Sequence, residues 1–161
     1  MSDDVDRLLA DWQRERPDVD LSPMEVLSRV TRLSHLLDMA RKDAFADHEI
    51  VGWEFDVLAA LRRAGVPYEL SPGRLLKETL VTSGTMTNRV DRLVARGFVS
   101  RSPDPDDRRG VLVRLTEAGR NVVDGALESL LAQEKELLAG IDGAQRRQLS
   151  ELLRALMIRS A

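Results

Sequence analysis

The sequence predicts a mainly α-helical protein that carries one small β-hairpin. Apolar side chains recur with helical spacing over most of the 161 residues, and only one short stretch, 111–115, alternates as a strand does. Aromatic residues make up 4% of the chain while Leu, Ala and Arg are common, and this composition favours helices over sheets. The order of elements is therefore helices, a hairpin, then helices again.

Three helices are predicted in the first part of the chain. Pro17 is expected to end the first helix, because proline cannot continue the backbone hydrogen-bond ladder. Ser22 can cap the second, Pro23 suits its first turn, and Glu25 completes a capping box. The third ends near Gly65. The predicted ranges are 3–16, 23–46 and 52–64.

Four further helices are predicted around the hairpin. Gly97 is expected to end the fifth helix, and Thr116 to cap the sixth. Asp142, with Gln145 three residues later, is expected to cap the last one. The segment 102–110 is rich in Pro, Asp and Gly, which is typical of a hairpin tip. The predicted ranges are 72–80, 82–96, 116–139 and 142–159 for helices, and 98–102 and 110–115 for strands.

Composition excludes several classes of protein. The chain has no cysteine, which excludes disulfides and thiolate metal sites, and His35 and His48 lack carboxylates at ligand spacing. No apolar run approaches the roughly 20 residues that span a bilayer. No nucleophile with a nearby base and no phosphate-binding glycine loop is present, so an enzyme is not expected. We expect a soluble, cytoplasmic protein without a metal or cofactor.

The charge is unevenly distributed. The whole chain has a net charge of −3, yet residues 74–109 carry eight basic and five acidic side chains, so this segment is +3 and the remainder is −6. A local basic surface on an acidic body can bind phosphate groups.

The helix predicted at 82–96 has two chemically distinct faces. One face is apolar and is expected to be buried, while the other presents Thr85, Asn88 and Arg92, followed by Arg96, with Arg89 at its flank. Hydroxyl and amide groups can bond base edges, and arginine pairs with guanine or with phosphates. The short turn that separates this helix from the one at 72–80 has helix-turn-helix spacing. The apolar face consists of Met86, Val90, Leu93 and Val94.

The hairpin tip offers a second contact with DNA. Arg108 and Arg109 lie beside Asp106 and Asp107, and a neighbouring carboxylate can orient a guanidinium group. An arginine on a thin β-ribbon can enter a minor groove, where negative potential is concentrated. Two alternatives remain open: a polar helix face can simply be solvated, and a charged tip can simply be a turn.

Three segments together resemble the MarR family of bacterial transcriptional regulators: EFDVLAALRRAG (54–65), LSPGRLLKETLVTSGTMTNRVDRLVARGFVSR (70–101) and DPDDRRGVLVRLTEAG (104–119). The resemblance implies a winged helix-turn-helix fold and a homodimer that binds a pseudo-palindromic operator. It also implies that Arg109 enters the minor groove and that Asp107 braces it. The candidate DNA-binding residues are Ser71, Arg74, Thr82, Ser83, Thr85, Thr87, Asn88, Arg92, Arg96, Asp107, Arg108 and Arg109.

The resemblance divides the compact chain into three regions. Residues 51–116 are expected to form the winged helix-turn-helix, and the helices of 1–50 and 117–161 are expected to form the dimer interface. The helices at 3–16, 23–46 and 142–159 carry more Leu, Val and Met than one small winged helix needs. A shared dimer core explains this excess, and an intramolecular bundle is the alternative.

The extra N-terminal helix is similar to that of the urate-responsive, PecS-like subgroup of the family. By that resemblance the ligand residues are Trp12, Asp56, Arg89 and Arg101. Two arginines can bind a planar anion, and an indole can stack on it. The alternatives are that Trp12 holds its helix to the core, that Arg89 contacts phosphate and that Asp56 forms an ion pair. A neighbouring subgroup is associated with aconitate- and citrate-like polycarboxylates.

The sequence therefore predicts a DNA-binding transcriptional regulator, a repressor that a small anion such as urate, salicylate, citrate or aconitate releases from its operator. One alternative is a constitutive or architectural DNA-binding protein without a ligand response. Another is a helical interaction module that does not touch DNA.

Overall fold

The computed structural model describes residues 2–79, 83–105 and 110–159. The chain divides into two compact units, residues 1–40 and 41–161. The order of helices, hairpin and helices is the one that the sequence predicts. The helices are α1 (Asp4–Glu15), α2 (Ser22–Ala46), α3 (Gly52–Arg63), α4 (Pro72–Thr79), α5 (Ser83–Ala95), α6 (Glu117–Leu137) and α7 (Gly143–Arg159), and the strands are β1 (Glu69–Leu70), β2 (Val99–Pro103) and β3 (Val111–Leu115).

In the first unit, Arg29 of α2 forms ion pairs with two aspartates at the start of α1. Asp3 caps α1, since its carboxylate accepts the N–H groups of Val5 and Asp6, each at 2.9 Å. Arg29 donates to Asp3 at 2.8 Å and to Asp6 at 2.6 Å. The hydrogen bond from Arg29 lowers the pKa of Asp3. The backbone N–H of Asp3, and then Arg29, lower the pKa of Asp6.

The start of α2 differs from the predicted capping box. Ser22 is already the first residue of the helix, and its hydroxyl donates to Asp20 at 3.0 Å instead of accepting a helical N–H. The same carboxylate accepts the N–H of Ser22 at 2.9 Å. In the predicted box the carboxylate of Glu25 would accept the N–H of Ser22, but in the structure Asp20 accepts both the N–H and the hydroxyl of Ser22.

Other predicted helix ends are confirmed. The hydroxyl of Thr116 accepts the N–H of Gly119 at 3.0 Å and so caps α6. The carboxylate of Asp142 accepts the N–H of Gln145 at 2.9 Å, and the side chain of Gln145 accepts the N–H of Asp142 at 2.8 Å, which completes the predicted box. Gly97, with φ of 74°, follows α5 as predicted.

The sheet has three antiparallel strands in the order β1-β3-β2. The two predicted strands, β2 and β3, pair from Val99 opposite Leu115 to Pro103 opposite Val111. The sequence did not predict β1, because two residues are too short to show an alternation. It pairs with β3 through Glu69 opposite Arg114.

The main core of the second unit lies among α3, α4, α5, the sheet and α6. Its largest fully buried side chains include Phe45, Leu58, Leu61, Leu75, Met86, Leu93 and Val113. The predicted apolar face of α5 contributes Met86, Val90 and Leu93 to this core, whereas Val94 is exposed. Because α5 is buried along one side only, its remaining surface is available for contacts outside the core.

The start of α6 is packed tightly against the end of α5. The hydroxyl of Thr116 donates to the carbonyl oxygen of Gly97 at 2.7 Å. A Cβ atom on Gly119 would lie 2.1 Å from the carbonyl oxygen of Phe98, so only glycine fits there. This junction fixes where β2 begins after α5.

Apolar side chains remain exposed on three long helices. On α2 they include Val26, Leu27, Leu36 and Met39; on α6, Leu127 and Leu131; on α7, Leu149, Leu152, Leu156, Met157 and Ile158. Among the helices formed by the described residues, none has the length and apolar character needed to cross a membrane.

Candidate nucleic-acid interface and effector residues

Helix α5 is held on the flank that faces α3 by a buried ion pair. Arg96 donates to both carboxylate oxygens of Glu54, at 2.8 and 2.9 Å, and also to the carbonyl oxygen of Glu49 at 2.8 Å. Glu54 is only 5% exposed, and its carboxylate also accepts the N–H of Val51. The guanidinium group of Arg96, a predicted DNA contact, therefore has three acceptors within the protein.

The same flank carries two guanidinium groups against one indole. The Cζ atoms of Arg89 and Arg92 each lie 5.4 Å from the centre of the Trp53 ring. Trp53 is half-buried at the second position of α3 and packs against the core. The structure thus brings a predicted ligand residue, Arg89, and a predicted DNA residue, Arg92, to the same aromatic ring.

The opposite flank of α5 is joined to the sheet. Arg101, on β2, donates to Asp91 of α5 with an N···O distance of 2.6 Å. Arg101 was predicted as a ligand residue, and in this structure its partner is a carboxylate. The pair links β2 to α5 on this flank.

Between the two flanks, α5 presents a ridge of exposed residues with small side chains around one amide. Gly84, Asn88 and Ala95 project away from the buried face at helical spacing, and all three are exposed. Within the described part of the chain, no hydrogen bond is made by the side-chain amide of Asn88. A low ridge with one unpaired amide allows close approach to base edges. Thr85 and Thr87, also exposed, border this ridge and make contacts of their own.

The other predicted DNA residues divide into described and undescribed positions. Ser71 precedes α4, and its hydroxyl accepts the N–H of Arg74 at 3.4 Å, while the side chain of Arg74 is exposed. Ser83 is the first residue of α5. The remaining predictions, Thr82, Asp107, Arg108 and Arg109, lie outside the described residues.

Asp56, a predicted ligand residue, pairs with an arginine that sequence reasoning missed. Arg41, near the end of α2, donates to Asp56 at 2.8 Å. The guanidinium group of Arg41 also lies over Phe45 and Phe55, at 5.3 and 5.6 Å, and these rings stack with centroids 4.5 Å apart. Asp56 is therefore paired with a cation that two aromatic rings hold in place.

Trp12 belongs to the first unit, and the other three predicted ligand residues belong to the second. It lies on α1 and is 46% exposed, so one part of its ring is accessible. The ligand set remains a prediction.

Sequence reasoning missed Arg41, Trp53 and Glu54. Trp53 precedes Asp56 by three residues on α3, so helical spacing alone could have placed both on one face. No signal of this kind was available for Arg41, because it lies on another helix and 15 residues away from Asp56. Glu54 gave no signal either, since a carboxylate near a helix start is expected on dipole grounds alone.

The arrangement of α3, α4, α5 and the three-stranded sheet defines a winged helix-turn-helix protein, a class whose members bind DNA through the second helix of the motif and the wing. Among the described residues, no group of three His, Asp or Glu side chains could hold a metal ion.

Residues 50–110 match the sequence model of the MarR family. The HTH-type transcriptional regulator PecS of Dickeya dadantii is 34% identical over 150 residues, which is 93% of this chain and 90% of PecS. The chain belongs to the MarR family of transcriptional regulators, as the sequence predicts.

Solved structures show the same fold. A mutant of MarR from E. coli in complex with operator DNA superposes with a TM-score of 0.71 and 28% identity, covering 86% of this chain and 99% of that one. BpsR from Bordetella bronchiseptica, whose DNA binding is regulated by 6-hydroxynicotinic acid, superposes with a TM-score of 0.69 and 29% identity, covering 82% of this chain and 92% of that one. These similar proteins are regulators of transcription and not enzymes.

Proposed function

We propose that this chain is a sequence-specific DNA-binding repressor that acts as a homodimer. The observation that carries the proposal is the exposed ridge of α5, formed by Gly84, Asn88 and Ala95 between two flanks that are both anchored. A rigid helix with a low polar ridge suits the major groove, where an asparagine can make two hydrogen bonds to adenine.

The proposed division of labour follows the three regions of the chain. Residues 51–116 bind DNA, and the helices of 1–50 and 117–161 form the dimer interface. The exposed Leu, Val and Met side chains of α2, α6 and α7 support this, since apolar surface on this scale is typical of an interface between subunits. In a twofold dimer, two α5 helices would address half-sites about one helical turn apart.

The wing, which is the hairpin of β2 and β3, supplies the second contact. Arg109 is proposed to enter the minor groove, and Asp107 to orient it. Removing the guanidinium in Arg109→Ala should weaken binding to a duplex that the wild-type protein selects from a random-sequence library, with no change in the unfolding temperature. Arg16→Ala, in the segment between α1 and α2, is the matched control and should bind like the wild type. Equal affinity of the Arg109→Ala variant would remove the wing from the interface.

A small anionic effector is proposed for the predicted ligand residues of the second unit, Asp56, Arg89 and Arg101. Of these, Asp56 and Arg101 already have partners of opposite charge, so an anion would have to displace Asp91 from Arg101 to engage it. BpsR responds to an aromatic carboxylic acid, which supports a ligand of this class. Adding urate, salicylate or citrate separately to the complex with the selected duplex should release the DNA in at least one case.

A constitutive DNA-binding protein is the second candidate. The pairs Arg41–Asp56 and Arg101–Asp91 favour it, because they satisfy these charges without a ligand. The effector experiment separates the two candidates: unchanged DNA affinity with all three anions supports the constitutive protein.

A further inference from the structure

Trp53 contacts two arginines that have no carboxylate partner among the described residues. Arg89 and Arg92 lie one helical turn apart on α5, and both guanidinium groups are 5.4 Å from the same indole. The neighbouring arginines differ in this respect, since Arg96 pairs with Glu54 and Arg101 pairs with Asp91. Two kinds of partner therefore hold the arginines around α5.

The kind of partner decides what an arginine can still do. A carboxylate orients a guanidinium group but neutralises its field and occupies its donors. An aromatic face attracts the same group through the ring quadrupole, and it leaves the full charge and the in-plane N–H donors available. Arg89 and Arg92 are thus restrained without losing the ability to bind phosphate.

Trp53 is itself well placed to restrain them. It occupies the second position of α3, is half-buried and packs against the core of the winged region. Its neighbour Glu54 holds Arg96 further along the same flank. Two residues at the start of α3, Trp53 and Glu54, therefore contact three arginines along one flank of α5.

We propose that Trp53 is a positioning residue for DNA binding, which orients Arg89 and Arg92 toward the phosphate backbone without neutralising them. This inference rests on the proposed function, because it needs α5 to lie against DNA. It goes beyond the predicted DNA and ligand residues, neither of which includes Trp53. It also assigns Arg89 a phosphate contact in the DNA-bound protein.

The experiment compares Trp53 variants of the full chain on the duplex that the wild-type protein selects from a random-sequence library. Trp53→Leu keeps apolar bulk and removes the aromatic face, so we expect about a tenfold loss of affinity. The slope of log affinity against log salt should also become shallower by about one, because a phosphate contact is lost. Trp53→Phe retains an aromatic face and should recover most of the affinity.

A control separates positioning from folding. Tyr68→Leu removes another ring that holds a guanidinium group, since Arg62 lies 5.0 Å from its centre. Because Arg62 pairs with Asp124 and lies on α3, this variant should keep the salt slope of the wild type even where its unfolding temperature falls. All affinities are measured at a temperature where each variant is fully folded.

A double-mutant cycle gives the decisive readout. In a protein that already carries Arg89→Ala and Arg92→Ala, adding Trp53→Leu should change the affinity by less than about twofold, because the groups it positions are gone. A full additional loss in that background, or an unchanged salt slope in Trp53→Leu alone, would overturn the inference while leaving DNA binding intact. A wild-type protein that selects no duplex would instead overturn the proposed function.

Discussion

At the scale of single residues, the arginines around α5 differ in function because their partners differ. Arg96 binds a buried carboxylate, Arg101 binds an exposed one, and Arg92 lies on an indole. A helical wheel could predict that these side chains leave the buried face. It could not predict the partners, because Glu54 and Trp53 come from a helix some 40 residues earlier in the sequence.

The first prediction concerns Arg96. Arg96→Met should lower the free energy of unfolding by about 2 kcal/mol, because it leaves the buried carboxylate of Glu54 without its cation, and the value is below that of a fully buried pair since Arg96 is partly exposed. Urea denaturation measures the change. Arg92→Met is the control and should cost less than about 1 kcal/mol, since it removes only a contact with a ring face. Equal losses in both variants would contradict a structural role for Arg96.

The second prediction concerns base recognition by Asn88. Asn88→Ala should leave stability unchanged, because the side chain is exposed and its amide makes no hydrogen bond within the described residues. It should reduce the discrimination between adenine and other bases at one position of each half-site by about 1–3 kcal/mol. Competition between single-base variants of the selected duplex measures this. A uniform loss over all sequences would show that Asn88 contacts the backbone instead.

At the scale of elements, local signals predicted most helix ends and the two longer strands. Gly97, Thr116 and Asp142 act where expected, because caps depend on neighbours within a few residues. Strand β1 and the role of Asp20 were not predictable in this way. Strand β1 depends on pairing with a strand more than 40 residues later. The role of Asp20 depends on whether Asp20 or Glu25 accepts the N–H of Ser22.

The junction between α5 and α6 gives the third prediction. Gly119→Ala should destabilise the protein by about 3 kcal/mol or more, since its Cβ atom would collide with the carbonyl oxygen of Phe98 and the strand start would have to move. Gly73→Ala, in the first turn of α4, meets no atom within 4 Å and should stabilise the fold by about 0.5 kcal/mol. Thermal unfolding of the pair tests the difference, and equal effects would refute the close packing.

The ion pairs of Arg29 with Asp3 and Asp6 in the first unit give the fourth prediction. The pKa values of Asp3 and Asp6 are lowered, so their contribution to stability is present above the ordinary aspartate pKa of about 3.9 and is lost as pH falls through the lowered values. A side-chain NMR titration should show both carboxyls titrating below that value. In Arg29→Gln the pKa of Asp3 should rise towards it. An unchanged titration would mean that Arg29 does not hold these groups in solution.

At the scale of the whole molecule, the exposed apolar surface is the feature that a single chain leaves unexplained. The sequence predicts an excess of apolar residues in the helices at 3–16, 23–46 and 142–159. Many apolar side chains of α2 and α7 are indeed exposed, such as Leu152 at 58%. The proposed homodimer would cover them. Periodicity identifies such a face but cannot say what covers it, because helix–helix packing within a chain and between chains obeys the same rules.

The fifth prediction tests that interface. Leu152→Lys on α7 should convert a dimer into monomers, because a buried charge without a partner is costly at an interface. Glu151→Lys, at the preceding residue of the same helix, should remain dimeric. Sedimentation equilibrium of both variants and the wild type measures the mass. A wild type that sediments as a monomer would contradict the proposed dimer.

The central claim, that the ridge of α5 together with the wing reads a DNA sequence, is tested most directly by a ratio of affinities. The wild-type protein is titrated, at one salt concentration, with the duplex it selects and with a duplex of scrambled sequence and equal length. We expect the selected duplex to bind about a thousandfold more tightly or better. Equal affinity for the two duplexes would contradict the claim.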